Sequence, residues 1–431
     1  MIWNPAAESM PRAARDALQL ERLQETLHWA REHVLFHRER LGGAAVRALA
    51  DLAGLPFVRK TDLREQYPFG LLAVPRQEIA RIHASSGTKG KPTVAAYTAG
   101  DLDVWREVMA RALTAAGARR GDLLHVAFGY GLFTGGLGFH DGAERLGMTV
   151  VPVSSGNTAR HHLLLQDFKP DVLAGTPSFA LHLAETLAEL GGKPRELGLR
   201  VGLFGAEPWT DAIRSALERA FGLSAFDIYG LSEIIGPGVA GECEARDGLH
   251  IADDHFLPEI VDPATGAVLP PGREGELVFT TLTKRAMPLV RYRTGDITTL
   301  TLEPCRCGRT SARMARVKGR SDDMLIVKGV NLYPSEVERT LLALEELAPH
   351  YQLVVDRAAT LARLEVQVEP TPAVIARCGG FAADHPEIVA LRRRAADKLR
   401  QATGLSVELT IVAPRTIPRS EGKAVRVIER G

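Results

Sequence analysis

Two stretches of the chain place cations on glycine turns, which suits the handling of phosphate. The first is Ser85-Ser86-Gly87-Thr88-Lys89-Gly90-Lys91-Pro92, directly after the short run Arg81–Ala84. Its two glycines let the backbone bend until several N–H groups face one point, and hydroxyls and two lysines add donors and positive charge. It is not a Walker A loop, because no glycine stands immediately before a Lys-Ser/Thr pair. A solvated surface turn is the competing reading. The second stretch is Arg419-Ser420-Glu421-Gly422-Lys423-Ala424-Val425-Arg426-Val427. Basic tails are mostly inert, yet here a lysine sits on a glycine turn after a complete small domain.

Three motifs lie between them. In Asp227-Ile228-Tyr229-Gly230-Leu231-Ser232-Glu233, a tyrosine at a strand end can stack on a flat base, and Glu233 can hold Mg²⁺ between phosphates. A buried aromatic beside an ordinary surface Glu fits the same residues. Tyr292-Arg293-Thr294-Gly295-Asp296 offers an Asp of the kind that holds two ribose hydroxyls, or else a capped turn. Gly319-Arg320-Ser321-Asp322-Asp323-Met324 runs into Val327-Lys328-Gly329-Val330-Asn331 and reads as a hinge or a soluble linker. Gly236-Pro237-Gly238-Val239-Ala240-Gly241 matches G-x-G-x-x-G, but no helix-forming stretch follows and Pro237 stiffens the turn. An apolar wall is the better reading of that run.

The elements that must position these residues follow from periodicity. Short apolar runs at Leu123–Phe128, Val150–Val153, Val172–Gly175, Val201–Phe204 and Phe226–Tyr229 alternate with helical patterns at 100–117, 158–168, 178–190 and 210–221. Such alternation predicts a parallel sheet with helices on its faces and ligands at the carboxyl ends of its strands. Residues 11–37 repeat Ala, Leu and Trp at helical spacing and predict an amphipathic helix lying on the body. From Gly248 to Leu302, alternating Val, Ile, Thr and Leu with Pro-Gly turns predict antiparallel strands. Short βα units resume after Gly319-Arg320. The predicted fold class is therefore α/β: a large domain over 1–319 with parallel α/β sheet and a β-rich subdomain, then a small, mobile α+β domain over 320–431.

The bulk numbers bound the partners. The 431 residues favour two or three compact units. Lys plus Arg number 53 against 52 Asp plus Glu, so nothing in the balance points to nucleic acid or an anionic membrane. The opening MIWNPAAESMPRAARDAL lacks the apolar core of a secretory signal. Leu123–Phe139, the longest apolar stretch, is broken by five glycines and His125 and reads as a buried strand followed by a loop. Four cysteines make no disulfide framework, and a reducing cytoplasm is expected.

Together, and in this order, the motifs resemble the adenylate-forming superfamily of acyl-CoA synthetases, adenylation domains and luciferases. Further matches narrow the resemblance to the phenylacetate–CoA ligase family. They are Tyr130-Gly131-Leu132-Phe133-Thr134-Gly135-Gly136, Pro152–Thr158, Tyr229–Val239, His255–Ile260, Gly275–Asp296 and Gly319–Val337, with Trp3-Asn4-Pro5 and Lys60–Pro75. The likeness covers nearly the whole chain. It implies that a carboxylate attacks the α-phosphate of MgATP, and that the thiol of CoA then attacks the acyl-adenylate. It further implies that Ser85, Ser86, Gly87, Thr88, Lys89, Gly90 and Lys91 hold the triphosphate. Gly205, Ala206, Glu207, Pro208 and Tyr229 would frame the adenine beside Asp227 and Gly230, Asp296 would grip the ribose hydroxyls, and Arg320 would help on the nucleotide. Glu233 would bind Mg²⁺, and Lys423 would bridge carboxylate and α-phosphate. The small domain would pivot at Asp322 between half-reactions and bring Lys328 and Gly329 to CoA.

In the resemblance, an aryl acid lies among Tyr130, Phe133, Phe139, Ala206, Ile235, Gly236 and Pro237, where aromatic walls spaced by glycine suit a flat ring. Asp141 departs from the family, which often has tyrosine there, so a hydroxylated acid stays open beside phenylacetate. Cys243, His250, Cys305 and Cys307 would close a tetrahedral structural Zn²⁺ site, the alternative being unpaired thiols. Other acceptors, such as a carrier protein or a coenzyme as in coenzyme F390 synthetases, remain alternatives, and a dead nucleotide sensor is disfavoured by intact Glu233, Asp296, Arg320 and Lys423. The oligomeric state is open, a homodimer included.

Overall fold

In the computed structural model of the protein, residues 1–85, 92–321, 324–327, 330–356, 363–405, 407–420 and 422–430 are described. The apolar runs beyond residue 120 pair side by side in parallel. Thr149–Val151, Leu123–Val126, Val172–Gly175, Val201–Gly205 and Ser224–Leu231 follow one another across a sheet, with Leu124 opposite Val172 and Leu203 opposite Phe226. The central strands Val172–Gly175 and Val201–Gly205 are buried along their whole length, as parallel strands covered on both faces must be.

The same sheet then turns antiparallel. Gly236–Glu242, Leu249–Ile251, Arg313–Met314 and Leu300–Thr301 extend it beyond Ser224–Leu231, so among the described residues it holds nine strands and is mixed rather than parallel. The β-rich stretch thus divides between two sheets. Its remainder, Phe256–Val261, Gly275–Thr281 and Tyr292–Thr298, forms an antiparallel layer of its own.

Three expectations need correction. The segment after Leu123–Val126 is not a loop throughout, because Thr134–Leu146 is a helix. Gly135, Gly136, Gly138 and Gly142 each weaken helix propensity, but packing overrides it. A Cβ at Gly138 would come within 2.7 Å of the Trp105 ring and one at Gly142 within 2.2 Å of Met109 Cβ, so only glycine permits this approach to the helix Ala99–Ala115. The amphipathic helix of 11–37 runs only over Arg12–His33, then breaks at extended, buried Val34 before a short helix Leu35–Leu41. Tyr292-Arg293-Thr294-Gly295-Asp296 lies within a strand rather than at a capped turn.

By contact, the chain divides into two units: Met1–Gly175, Arg195–Ala206 and Leu223–Val317, and Thr176–Pro194, Glu207–Gly222 and Lys318–Gly431. The first is built on the nine-stranded sheet. In the second, Glu408–Ile411, Arg363–Pro370, Leu347–Asp356 and Val427–Arg430 form a mixed sheet with the helices Pro334–Leu341 and Pro386–Thr403. Its core is Leu353, Val366, Val368, Val337, Ile388 and Leu391, all buried. The α/β body followed by an α+β region matches the predicted class.

Candidate active site

At the ends of the central strands of the first unit, backbone approaches set the geometry. A Cβ on Gly205 would meet the Ile228 carbonyl oxygen at 2.2 Å, and one on Gly230 would meet that of Gly236 at 1.9 Å. Ala206 follows at φ 69°, a left-handed conformation that costs a non-glycine residue energy and tends to gather at functional sites. The strand Ser224–Leu231 delivers Tyr229, whose hydroxyl donates to Asp296 Oδ2 at 2.6 Å while its ring lies 6.4 Å from that of Phe279. The aromatic face and the carboxylate that the sequence assigned to base and ribose are therefore neighbours. Asp227 on the same strand faces Arg316 at 3.7 Å, and its N–H donates to Glu242.

Glu233 is nearly buried and is flanked by two lysines that sequence reasoning missed. Lys60 Nζ lies 3.6 Å from Glu233 Oε1, and Lys284 Nζ donates to the Glu233 carbonyl at 2.9 Å. Burial pushes the Lys284 ammonium down to about 8, against the opposing pull of Asp101 and Glu233. It also sits 4.7 Å from the centre of the Tyr97 ring, whose hydroxyl donates to the carbonyls of Ser232 and Ile235. Nothing in the local sequence separates Lys284 from a surface lysine; only folding buries it.

The first phosphate stretch begins where the antiparallel strands Arg81–Ala84 and Val94–Tyr97 part. Ser85 N–H donates to Thr93 O at 2.9 Å, and the buried Ser85 hydroxyl has no partner among the described residues. Such an orphan suits a group that receives an acceptor from a ligand. Ser86, Gly87, Thr88, Lys89, Gly90 and Lys91 lie outside the described residues, as do Asp322, Lys328 and Gly329.

The residues expected around the acid are partly half-buried and partly core. Tyr130 and Phe133 are half-buried before and at the start of the helix Thr134–Leu146, and the Tyr130 hydroxyl meets His140 Nδ1 at 3.3 Å. Burial raises the Tyr130 phenol above its ordinary range, with Asp141 and Glu144 adding to the shift. Phe139 is fully buried and stacks on Phe128 at 5.1 Å, so it is a core residue. Ile235 is buried, and Gly236 and Pro237 open a strand pressed onto Trp105, whose indole N–H donates to Pro237 O at 2.9 Å. No helix follows that G-x-G-x-x-G run. Asp141 pairs with Arg81 at 2.7 Å, so its charge is already met by a protein cation.

In the second unit Arg320 stands on the short strand Gly319–Arg320, and Lys423 follows Gly422 on a bend. The Gly422 carbonyl accepts from Thr176 Oγ1 at 2.7 Å and Ser178 Oγ at 3.3 Å. Glu207 accepts the backbone N–H of Ser178 at 2.8 Å and that of Ala424 at 2.7 Å. Pro208 follows it.

Cys243, His250, Cys305 and Cys307 converge, their ligand atoms all within 4.8 Å of one another. Zn–S bonds of about 2.3 Å and Zn–N bonds of about 2.0–2.1 Å in a tetrahedron set S···S near roughly 3.8 Å and S···N near roughly 3.5 Å. Cys243 and Cys305 sulfurs are 3.9 Å apart, and Cys307 Sγ is 3.4 Å from His250 Nε2. His250 Nδ1 rests 3.3 Å from Ser311 Oγ, the kind of outer contact that orients a ligating imidazole. The residues fit a zinc ion.

Comparison with known proteins completes the picture. Residues 16–282 match the AMP-binding enzyme family and 329–430 the AMP-binding enzyme C-terminal domain. The chain is 54% identical to a phenylacetate-coenzyme A ligase of Thermus thermophilus over 99% of this chain and 98% of that protein. It is 50% identical to one of Aromatoleum evansii over 98% and 97%. Among solved structures, 2-hydroxyisobutyryl-CoA ligase in the postadenylation state with R3-HIB-AMP superposes with TM-score 0.92 at 32% identity, covering 100% of this chain and 92% of that one. The same ligase with 2-HIB-AMP and CoA in the thioesterification state gives 0.73 at 33%, over 99% and 92%.

Proposed function

The chain belongs to the phenylacetate–CoA ligase family of AMP-binding enzymes, and from that premise we propose that it joins phenylacetate, or a close aryl relative, to CoA through an acyl-adenylate. The observation that carries this reading is identity over the full length of ligases of that name. In the first half-reaction a carboxylate oxygen attacks the α-phosphorus of ATP and diphosphate leaves. In the second, the sulfur of CoA attacks the acyl carbon, loses its proton and expels AMP.

Roles follow from chemistry. Tyr229 with Gly205, Ala206, Pro208 and the backbone of Glu207 would frame the adenine, and Asp296, already within reach of the Tyr229 hydroxyl, would accept from the ribose. Ser85 with the stretch that follows it would donate to the triphosphate. Glu233 would hold Mg²⁺, since one carboxylate together with substrate phosphates is the usual protein share of such a site. Lys60 faces that carboxylate and offsets its charge, while Lys284 holds the backbone carbonyl of the same residue. Arg320 and Lys423 would neutralise phosphate charge as it builds, Asp322 would be the pivot, and Lys328 and Gly329 would meet CoA. The division at 319/320 is proposed as the functional one.

The Arg81 pairing of Asp141 favours an apolar ring, because no unmatched carboxylate awaits a substrate hydroxyl. AMP release measured across aryl acids should be fastest with phenylacetate, with no gain for hydroxyphenylacetates. Silence with every aryl acid in the presence of CoA would end the proposal. Consumption of ATP without any thioester would instead favour a different acceptor.

We also propose that Cys243, His250, Cys305 and Cys307 hold a structural zinc ion that fastens the residues around 243–250 to those around 305–307. Purified protein should contain about one zinc per chain, and Cys305→Ser should lose it and melt at lower temperature. Metal analysis that finds none in protein prepared without chelator rules the ion out.

A further inference from the structure

Glu207 lies in the stretch expected to frame adenine, yet its carboxylate is already fully engaged within the second unit. One oxygen takes the N–H of Ser178 at 2.8 Å, in the first turn of the helix Pro177–Glu189, where an anion is favoured by the helix dipole. The other oxygen takes the N–H of Ala424 at 2.7 Å. On the other side of Lys423, the Gly422 carbonyl takes the hydroxyls of Thr176 and Ser178. Both peptide groups that flank the lysine are therefore fixed by side chains some two hundred residues upstream. The bend is closed from within as well, by Ser420 Oγ donating to Lys423 O at 2.7 Å and accepting from Gly422 N–H at 3.1 Å.

Resting on the reading above, we propose that Glu207, assisted by Thr176 and Ser178, is a positioning residue that clamps the Lys423 bend for adenylation and is not needed for thioester formation. Lys423 has work only while two anions are brought together. Once the mixed anhydride exists, a thiol attacks a carbon and that cation has no further charge to neutralise. A group that serves only to place Lys423 must show the same one-sidedness. An adenine-binding group would not, because both ATP and the acyl-adenylate carry adenine.

Glu207→Gln keeps the shape and replaces one acceptor oxygen by an amide that faces an N–H donor. Losing one charge-assisted hydrogen bond of this kind should lower diphosphate exchange with phenylacetate by about 10- to 100-fold. Thioester formation from supplied phenylacetyl-adenylate and CoA should change less than about twofold by the same logic. Thr176→Val with Ser178→Ala should give a smaller loss, again in the first half only. In the Lys423→Ala background Glu207→Gln should cost nothing more, since it acts through the lysine. Hydrogen exchange at the Ala424 amide should quicken in E207Q and stay slow in K423A. Equal losses in both halves, or losses that multiply with Lys423→Ala, would assign Glu207 to adenine and overturn the clamp. Wild-type protein that forms no adenylate from any acid would sink the functional reading instead, and unchanged Ala424 exchange in E207Q would still refute the clamp.

Discussion

Lys423→Ala is expected to lose diphosphate exchange by a hundredfold or more while still converting supplied phenylacetyl-adenylate to the thioester. The reason is electrostatic. A carboxylate must approach an α-phosphate that already bears negative charge, and the transition state carries that charge on the phosphoryl oxygens, where a cation can offset it. One preorganised cationic donor at such a point is worth roughly 2.7–4 kcal/mol. The bend that carries Lys423 is held at Gly422 and Ala424, so the ammonium arrives without the entropy cost of ordering its backbone. Single-turnover measurements of the two halves decide the matter. A parallel fall in both would make Lys423 a general structural residue and remove its special role.

Arg15→Ala should destabilise the first unit by about 3–5 kcal/mol, read as a shift in denaturant midpoint, because it strands a buried charge. Arg15 and Asp253 are 1% and 0% exposed and form an ion pair. Arg15 also donates to the Ala7 carbonyl at 2.7 Å and to Thr310 Oγ1 at 3.2 Å, and Asp253 accepts the Ala312 N–H at 2.9 Å. The pair thus ties the helix Arg12–His33 to the segments around 253 and 310. Burial lifts the Asp253 carboxyl to about 6 even beside Arg15. A folded value above the ordinary one means that the native state binds the proton more tightly, so this group's contribution to stability falls as pH rises towards 6. Without Arg15 the carboxyl rises further, and the variant's deficit should be larger at pH 8 than at pH 5. A deficit below 1 kcal/mol at pH 8 would show that the site relaxes or admits water.

What the sequence settled by itself is what local pattern controls. Local pattern placed the helix Thr158–Phe168, whose buried His161 and Leu165 lie one turn apart, and the strand Val172–Gly175, a short apolar run that folding buries along its whole length. The order of the motifs gave the family, since glycines and charges that serve a ligand are tied to chemistry rather than to neighbours. Tertiary structure alone decided the rest. Thr134–Leu146 is a helix against its propensities because its glycines fit against Trp105 and Met109, partners about thirty residues upstream that no local window contains. The antiparallel half of the large sheet is completed by Leu249–Ile251 and Arg313–Met314, which pair across sixty residues. That same pairing draws Cys243 and His250 towards Cys305 and Cys307, which composition could only list as possible ligands. Lys284 is a buried cation and Glu207 a clamp for the same reason. A side chain's charge is written in the chain, but its solvent and its partners are set by the surfaces that folding brings against it.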